Sequence, residues 1–288
     1  LKKNDEVIIP DRSWISAAHV IMKMNLRCKI AEVEKDRPII DLSKLKKIIT
    51  KKTKVIIAVH MGGRACDMKK LKSIAKKNNI KVIEDAAQAF GSKQHGKYLG
   101  TQSDIGCFSF SMAKTVTSGQ GGFVATNNKK LFDEINLEKN HGVVDTQNIK
   151  RWIKPGLNYK FTDIQACILL SELKRLKTYL KNLVSLYNLY FKELNQREDF
   201  YVIPVDVKSG EIPQYVEVIA KKREKLIKFL KRFKIFTRSF YPNMSNAKYL
   251  KAGNKNFCLN KNYSLYGLYL PSGPSQNIRD IKKVIKKI

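Results

Sequence analysis

The chain has 288 residues, 43% of them hydrophobic and 9% aromatic, enough to bury a large core and build two domains. No apolar run approaches the ~20 residues of a membrane span, the start lacks a signal-peptide apolar region, and five cysteines without CxxC spacing argue against a zinc site or a disulfide framework and for reduced thiols in a cytoplasm. Against 25 acidic residues stand 56 basic ones, giving a net charge of +31; a charge of that size attracts anions, but only a basic stripe would predict a nucleic-acid or membrane site.

In chain order, the apolar runs EVIIP (6–10), KVIIAV (54–59), KVIED (81–85), IGCFSF (105–110) and GFVAT (122–126) are short, β-rich and bounded by turn residues, as buried strands are. DMKKLKSIAKKNN (67–79) lies between two of them, with helical period and Asp67 placed as its N-cap. This alternation predicts an α/β fold with a mostly parallel central sheet flanked by helices. Ligands of such sheets bind beyond the carboxyl ends of the strands, where Asp85 falls.

From Thr162 to about Asn195 a long amphipathic stretch predicts one helix joining a large domain to a smaller one; it carries Ile164, Ile168, Leu169, Leu173, Leu176, Leu180, Leu183 and Tyr187, with Thr162 and Asp163 as cap residues. YVIPV, QYVEVIA, a basic helix from Lys221 to Phe233, IFTRSFY, GLYLP and a last helix near 278–288 follow, which suits a small α+β domain. The expected division is 1–195 and 196–288. The lysines are dispersed over the polar sides of these helices and read as solvated faces, so no specific nucleic acid and no membrane are expected as partners.

The segment 81–126 carries the chemistry. A carboxylate closing one apolar run, Asp85, and a lysine in the polar loop after a second, Lys114, with a Gly-rich turn beyond, suit a pyridoxal 5'-phosphate site. That cofactor withdraws electrons only while its ring nitrogen stays protonated, which needs a carboxylate, and its aldehyde is held by a lysine whose pKa is lowered by burial. Each residue alone has a plainer reading: Asp85 as the N-cap of a first helical turn over AAQAF, Lys114 as a solvated surface lysine.

VIEDAAQAFGS (82–92), SDIGCFSFSMAK (103–114) and SGQGGFVATNN (118–128) together resemble the DegT/DnrJ/EryC1/StrS family of pyridoxal-phosphate-dependent sugar aminotransferases. The likeness extends through NDEVIIPDRSWISAAHVI (4–21), TKVIIAVHMGGRACDM (53–68), HGVV (141–144), PGLNYKFTDIQACILLSELKRL (155–176) and GLYLPSGPS (267–275). It implies a fold type I transferase. It also implies that Lys114 holds the cofactor and shuttles the proton, that Asp85 pairs with the ring nitrogen, that Gln88 approaches the ring oxygen and that Ser109 binds the phosphate. Trp14 would stack on the ring or serve as a large core side chain. Asn158 would reach the phosphate of a neighbouring subunit in a homodimer, or act as a turn asparagine beside Gly156. Arg238 matches a family arginine that either contacts substrate or forms an ion pair.

Departures from the family pattern are Gln120 for a glutamate in the Gly-rich turn, and Leu157 and Lys160 for Tyr and Arg; lysine cannot make a bidentate guanidinium contact. A phosphate-binding turn that precedes this region in the family has no counterpart in the chain, which is expected to be a fragment or a truncation. His60, His95 and His141 receive no role. The expected reaction moves an amino group from an amino acid, L-glutamate by expectation, to a nucleotide-linked keto-deoxysugar in polysaccharide or glycoside biosynthesis. The alternatives are a sugar dehydratase, whose relatives carry His in place of the lysine, and a degenerate, cofactor-free basic binding or assembly protein.

Overall fold

A computed structural model describes residues 1–148, 150–250 and 261–288; Cys258 lies outside them. The elements are β1 (Glu6–Pro10), α1 (Ser16–Lys23), β2 (Arg27–Ala31), α2 (Leu42–Leu45), β3 (Thr53–Val59), α3 (Met68–Lys77), β4 (Lys81–Asp85), β5 (Lys93–Gln94), β6 (Lys97–Tyr98), β7 (Ile105–Ser109), β8 (Gly122–Ala125), α4 (Lys129–Lys139), α5 (Asp163–Lys174), α6 (Leu176–Leu194), β9 (Phe200–Val202), β10 (Val216–Ala220), α7 (Arg223–Arg232), β11 (Arg238–Ser239), α8 (Lys261–Tyr266), β12 (Gly267–Leu270) and α9 (Ile278–Lys287).

Six strands form the large sheet in the order β2-β1-β3-β4-β7-β8, parallel except for the β7–β8 pair. The period of two divides its side chains between two cores. Ile8, Ile56 and Val82 pack on one face with Met68, Leu71, Ile74 and Ala75 of α3. Val7, Ile9 and Val55 pack on the other with Ala18 and Ile21 of α1. The expected parallel sheet with helices on both faces is what forms. Arg27–Ala31, not anticipated as a strand, pairs along the whole of β1.

Helix α3 follows from its sequence. The Asp67 carboxylate accepts the Lys70 N–H at 2.9 Å, apolar residues recur at three and four, and Lys76 and Lys77 sit at the negative end of the helix dipole. Asn79, at φ 52°, ends it. The residues after Asp85 form a single turn, Ala89 N–H to Ala86 carbonyl, and not the helical start that the sequence suggested.

The expected long helix is two helices meeting at Arg175, whose N–H bonds back only three residues, to Glu172. Thr162 caps α5 with a reciprocal box to Gln165. The two halves serve different surfaces. Leu186, Tyr187, Tyr190 and Leu194 of α6 close the core over a second, antiparallel sheet, β11-β12-β10-β9, together with Ile281 and Val284 of α9. Helix α5 buries no residue, and Ile164 is 76% exposed.

Candidate active site

The carboxyl edge of the large sheet gathers the chemistry. Asp85 is the last residue of β4, in register with Val59 of β3 and Cys107 of β7. Its carboxylate accepts the Ala87 N–H at 3.0 Å. Burial pushes the Asp85 pKa up, against the pull of that N–H and of the Lys114 ammonium. Burial pushes Lys114 down, and the Asp85 charge resists it. The two groups therefore face one partly desolvated volume.

Lys114 stands on a tight turn that leaves β7. Its N–H bonds the Ser111 carbonyl at 3.0 Å, while the Ser118 N–H and the Thr117 hydroxyl both return to the Phe110 carbonyl at 3.0 Å. Ser109, at the end of β7, accepts the Ser111 N–H at 3.3 Å. The Gln88 carbonyl oxygen accepts the Gly62 N–H at 3.0 Å, and its side chain also bonds that of Tyr241. Trp14 is 53% exposed and sets its ring edge-on to Tyr241 at 5.8 Å, so it is not a core side chain.

Asn158 stands apart. It is exposed, forms an isolated bridge with Asn140, and has no described contact with Asp85, Lys114 or Ser109. Lys160 reaches His141 at 3.1 Å, the Gln120 carbonyl accepts the Gln165 amide at 3.0 Å, and Leu157 is half exposed. Arg238 is exposed, with no ion pair among the described residues, and lies within electrostatic reach of Tyr215.

Three supports were not visible in the sequence. His60, fully buried, accepts the Cys66 N–H on Nδ1 and so donates from Nε2 to Glu84 at 3.0 Å. Glu84 also takes the Gly100 and Gln102 N–H groups and the Ser103 hydroxyl; burial opposes its charge, but His60, and after it the two N–H groups, hold its pKa below the usual range. The His60 N–H bonds the Asp85 carbonyl at 3.0 Å, so this pair braces the backbone under Asp85. Arg64 and Glu217, both fully buried, form an ion pair between the two sheets, and Arg64 also donates to the carbonyls of Ile203 and Pro204. Arg12 lies buried over the Phe240 and Tyr241 rings and donates to the Tyr241 carbonyl at 2.7 Å. The only sequence signal was a histidine and four charged residues, His60, Glu84, Arg64, Glu217 and Arg12, in or beside apolar runs, which does not reveal partners.

The site fits pyridoxal 5'-phosphate on these observations. A desolvated carboxylate with a single N–H donor calls for a cation such as a protonated ring nitrogen, and the facing lysine is already shifted toward its nucleophilic form.

Comparison with known proteins gives a consistent result. The model of the DegT/DnrJ/EryC1/StrS aminotransferase family matches residues 1–288. The GDP-perosamine synthase of Escherichia coli O157:H7 is 31% identical over 290 residues, covering 100% of this chain and 79% of the relative. The S. venezuelae DesV structure superposes with a TM-score of 0.93 at 24% identity, over 100% of this chain and 78% of that one. The E. coli GDP-4-keto-6-deoxy-D-mannose-3-dehydratase structure with bound hydrated pyridoxal phosphate gives 0.90 at 21% identity, over 100% and 80%. The two structures establish the fold.

Proposed function

The chain belongs to the DegT/DnrJ/EryC1/StrS aminotransferase family, and from that premise we propose that it aminates a GDP-linked keto-deoxyhexose, with L-glutamate as donor and 2-oxoglutarate as the released acid. It is a pyridoxal-phosphate-dependent nucleotide-sugar aminotransferase. The GDP-linked acceptor is taken from the GDP-perosamine synthase relative, and amination of a 4-keto-6-deoxymannosyl group would give a product of that kind. The observation that carries the reading is the electrostatic coupling of Asp85 and Lys114 at the carboxyl edge of the sheet.

Lys114 would hold the cofactor aldehyde, Asp85 the ring nitrogen, Gln88 the ring oxygen and Ser109 the phosphate. When bound, the cofactor supplies the electron sink that stores the amino group between donor and acceptor. Burial shifts Lys114 toward its neutral form, the form in which Nζ would take a proton from a carbon acid and return it to the neighbouring position. Asp85 would keep the ring nitrogen protonated, and the backbone N–H of His60, itself held by Glu84, fixes the Asp85 carbonyl. The lysine at 114 favours transfer over dehydration.

A homodimer completes this reading. Phe123, Trp152, Leu157, Phe161, Ile164 and Ile168 are 37% to 76% exposed, and α4 and α5 bury none of their residues. Exposed apolar residues gathered in this stretch of chain suit an interface. Asn158 lies in the same stretch, and against a second copy it would face the phosphate. The cytoplasm suits the four free thiols among the described residues, none of whose helices is long and apolar enough to cross a membrane.

Incubating purified protein with pyridoxal phosphate, L-glutamate and GDP-4-keto-6-deoxymannose tests the proposal: a visible absorption band and a GDP-amino sugar are expected. Uptake of cofactor with deoxygenation of the sugar and no nitrogen gained would support a dehydratase instead.

A further inference from the structure

Resting on the assignment of Lys114 above, we propose that Gln214 and Tyr215 are positioning residues that clamp the Ala113 carbonyl and so set the reach of Lys114 from the second sheet. Both side chains come from the residues that lead into β10. The Tyr215 hydroxyl donates to the Ala113 carbonyl at 2.8 Å, and the Gln214 amide donates to the same oxygen at 2.9 Å. The Gln214 amide also donates to the Tyr215 hydroxyl at 2.9 Å, closing a triangle in which every proton has an acceptor.

Satisfying a buried carbonyl does not explain this arrangement. Met112 is 78% exposed and Ala113 is exposed, so water could serve that oxygen. Two side-chain donors from the second sheet converge instead on the peptide group immediately before Lys114. Gln214 is itself 5% exposed, and Tyr215 is held by Tyr269 with ring centroids 5.3 Å apart. Burial pushes the Tyr215 hydroxyl up to about 12, so it remains a donor at any working pH.

The clamp extends to the other side of the site. The Gln214 N–H bonds the Gly62 carbonyl at 3.2 Å, and the Gly62 N–H bonds Gln88 at 3.0 Å. Gln214 thus ties the lysine turn to the side chain assigned to the ring oxygen. Gly62, at φ 59°, has no room for a side chain: a Cβ would lie 2.5 Å from Arg64 Nη1 and 2.6 Å from Glu217 Oε2. The relay therefore passes directly over the buried Arg64–Glu217 ion pair and connects the second sheet to the Lys114 turn.

Tyr215→Phe, which keeps the ring, and Gln214→Met, which keeps both length and the N–H to Gly62, dissect the clamp singly and together. In the cofactor-free protein, acetylation of Lys114 is followed against pH by peptide mass spectrometry, with exposed Lys97 as internal standard. In the wild type Lys114 titrates below 10.5. Release of the turn lets the amine reach water, so its midpoint should climb toward that value in the double variant, and each rise of one pH unit in the midpoint should lower relative reactivity at pH 8 about tenfold. Tyr215→Phe alone should raise it less. With cofactor, the pH midpoint of the visible band should move while KM for glutamate holds and kcat falls. If folded variants, judged by unchanged near-ultraviolet circular dichroism, label Lys114 with the wild-type midpoint and rate, the clamp is overturned. A wild type that takes up no cofactor would sink the assigned function, and the labelling midpoints would still decide the clamp.

Discussion

Asp85 and Lys114 act on each other's charge across the carboxyl edge of the large sheet: burial raises the one pKa and lowers the other, and each partner's charge opposes the change. Neither group is comfortable in the cofactor-free protein. Stability is given up here for a ligand that would supply both missing partners.

Replacing Lys114 by Ala should abolish turnover and remove the visible band, while Asp85 still offers a cation site to the ring. Absorbance titration with pyridoxal phosphate checks this. A variant with wild-type transamination would refute the assignment.

Asp85→Asn should weaken cofactor binding yet stabilise the cofactor-free protein. The folded pKa lies above the ordinary 3.8, so the folded state binds the proton more tightly. That stability is fully present below 3.8 and is lost as pH rises through the raised pKa. The gain from Asn should vanish in acid, grow as pH rises through the raised pKa and level off above it. Thermal melts across pH, with and without cofactor, measure both halves.

Gly62→Ala should cost about 2 kcal/mol or more. A left-handed backbone is strained for alanine, and its methyl would displace the Arg64–Glu217 pair. Urea unfolding should show a lower midpoint. Unchanged stability would mean that the pair can move freely.

Glu217→Ala should be more severe, at about 3–5 kcal/mol, because it leaves the Arg64 guanidinium buried with carbonyls alone. Replacing both residues by apolar ones of similar volume should recover part of the loss. A double-mutant cycle in denaturant reads the coupling.

Ile164→Asp, on the exposed apolar face of α5, should leave the fold intact and give a monomer by sedimentation. Activity should fall with dimer content, since Asn158 would no longer meet a neighbouring site. A fully active monomer would remove the dimer from the proposal.

Local order along the chain was legible in advance because it is written in spacing. The strands ending at Val59, Asp85 and Ser109 alternate with a helix begun by Asp67, and that order requires a parallel sheet with its ligand edge at Asp85. The motif residues 81–126 added the lysine, and the family resemblance extended over the whole chain. Periodicity did not mark the break at Arg175: apolar residues run on through it, but α5 has them on all sides and buries none, while α6 buries one face.

Partnership over long separations was decided only by the folded chain. Tyr215 meets Ala113, Glu217 meets Arg64 and Arg12 meets Tyr241 because two sheets pack together, and nothing near any of these residues marks its partner. A hydrophobic pattern specifies which face is buried, since that depends on neighbours three or four residues away. A buried hydrogen bond or ion pair between distant segments depends on distances that exist only once both cores have formed.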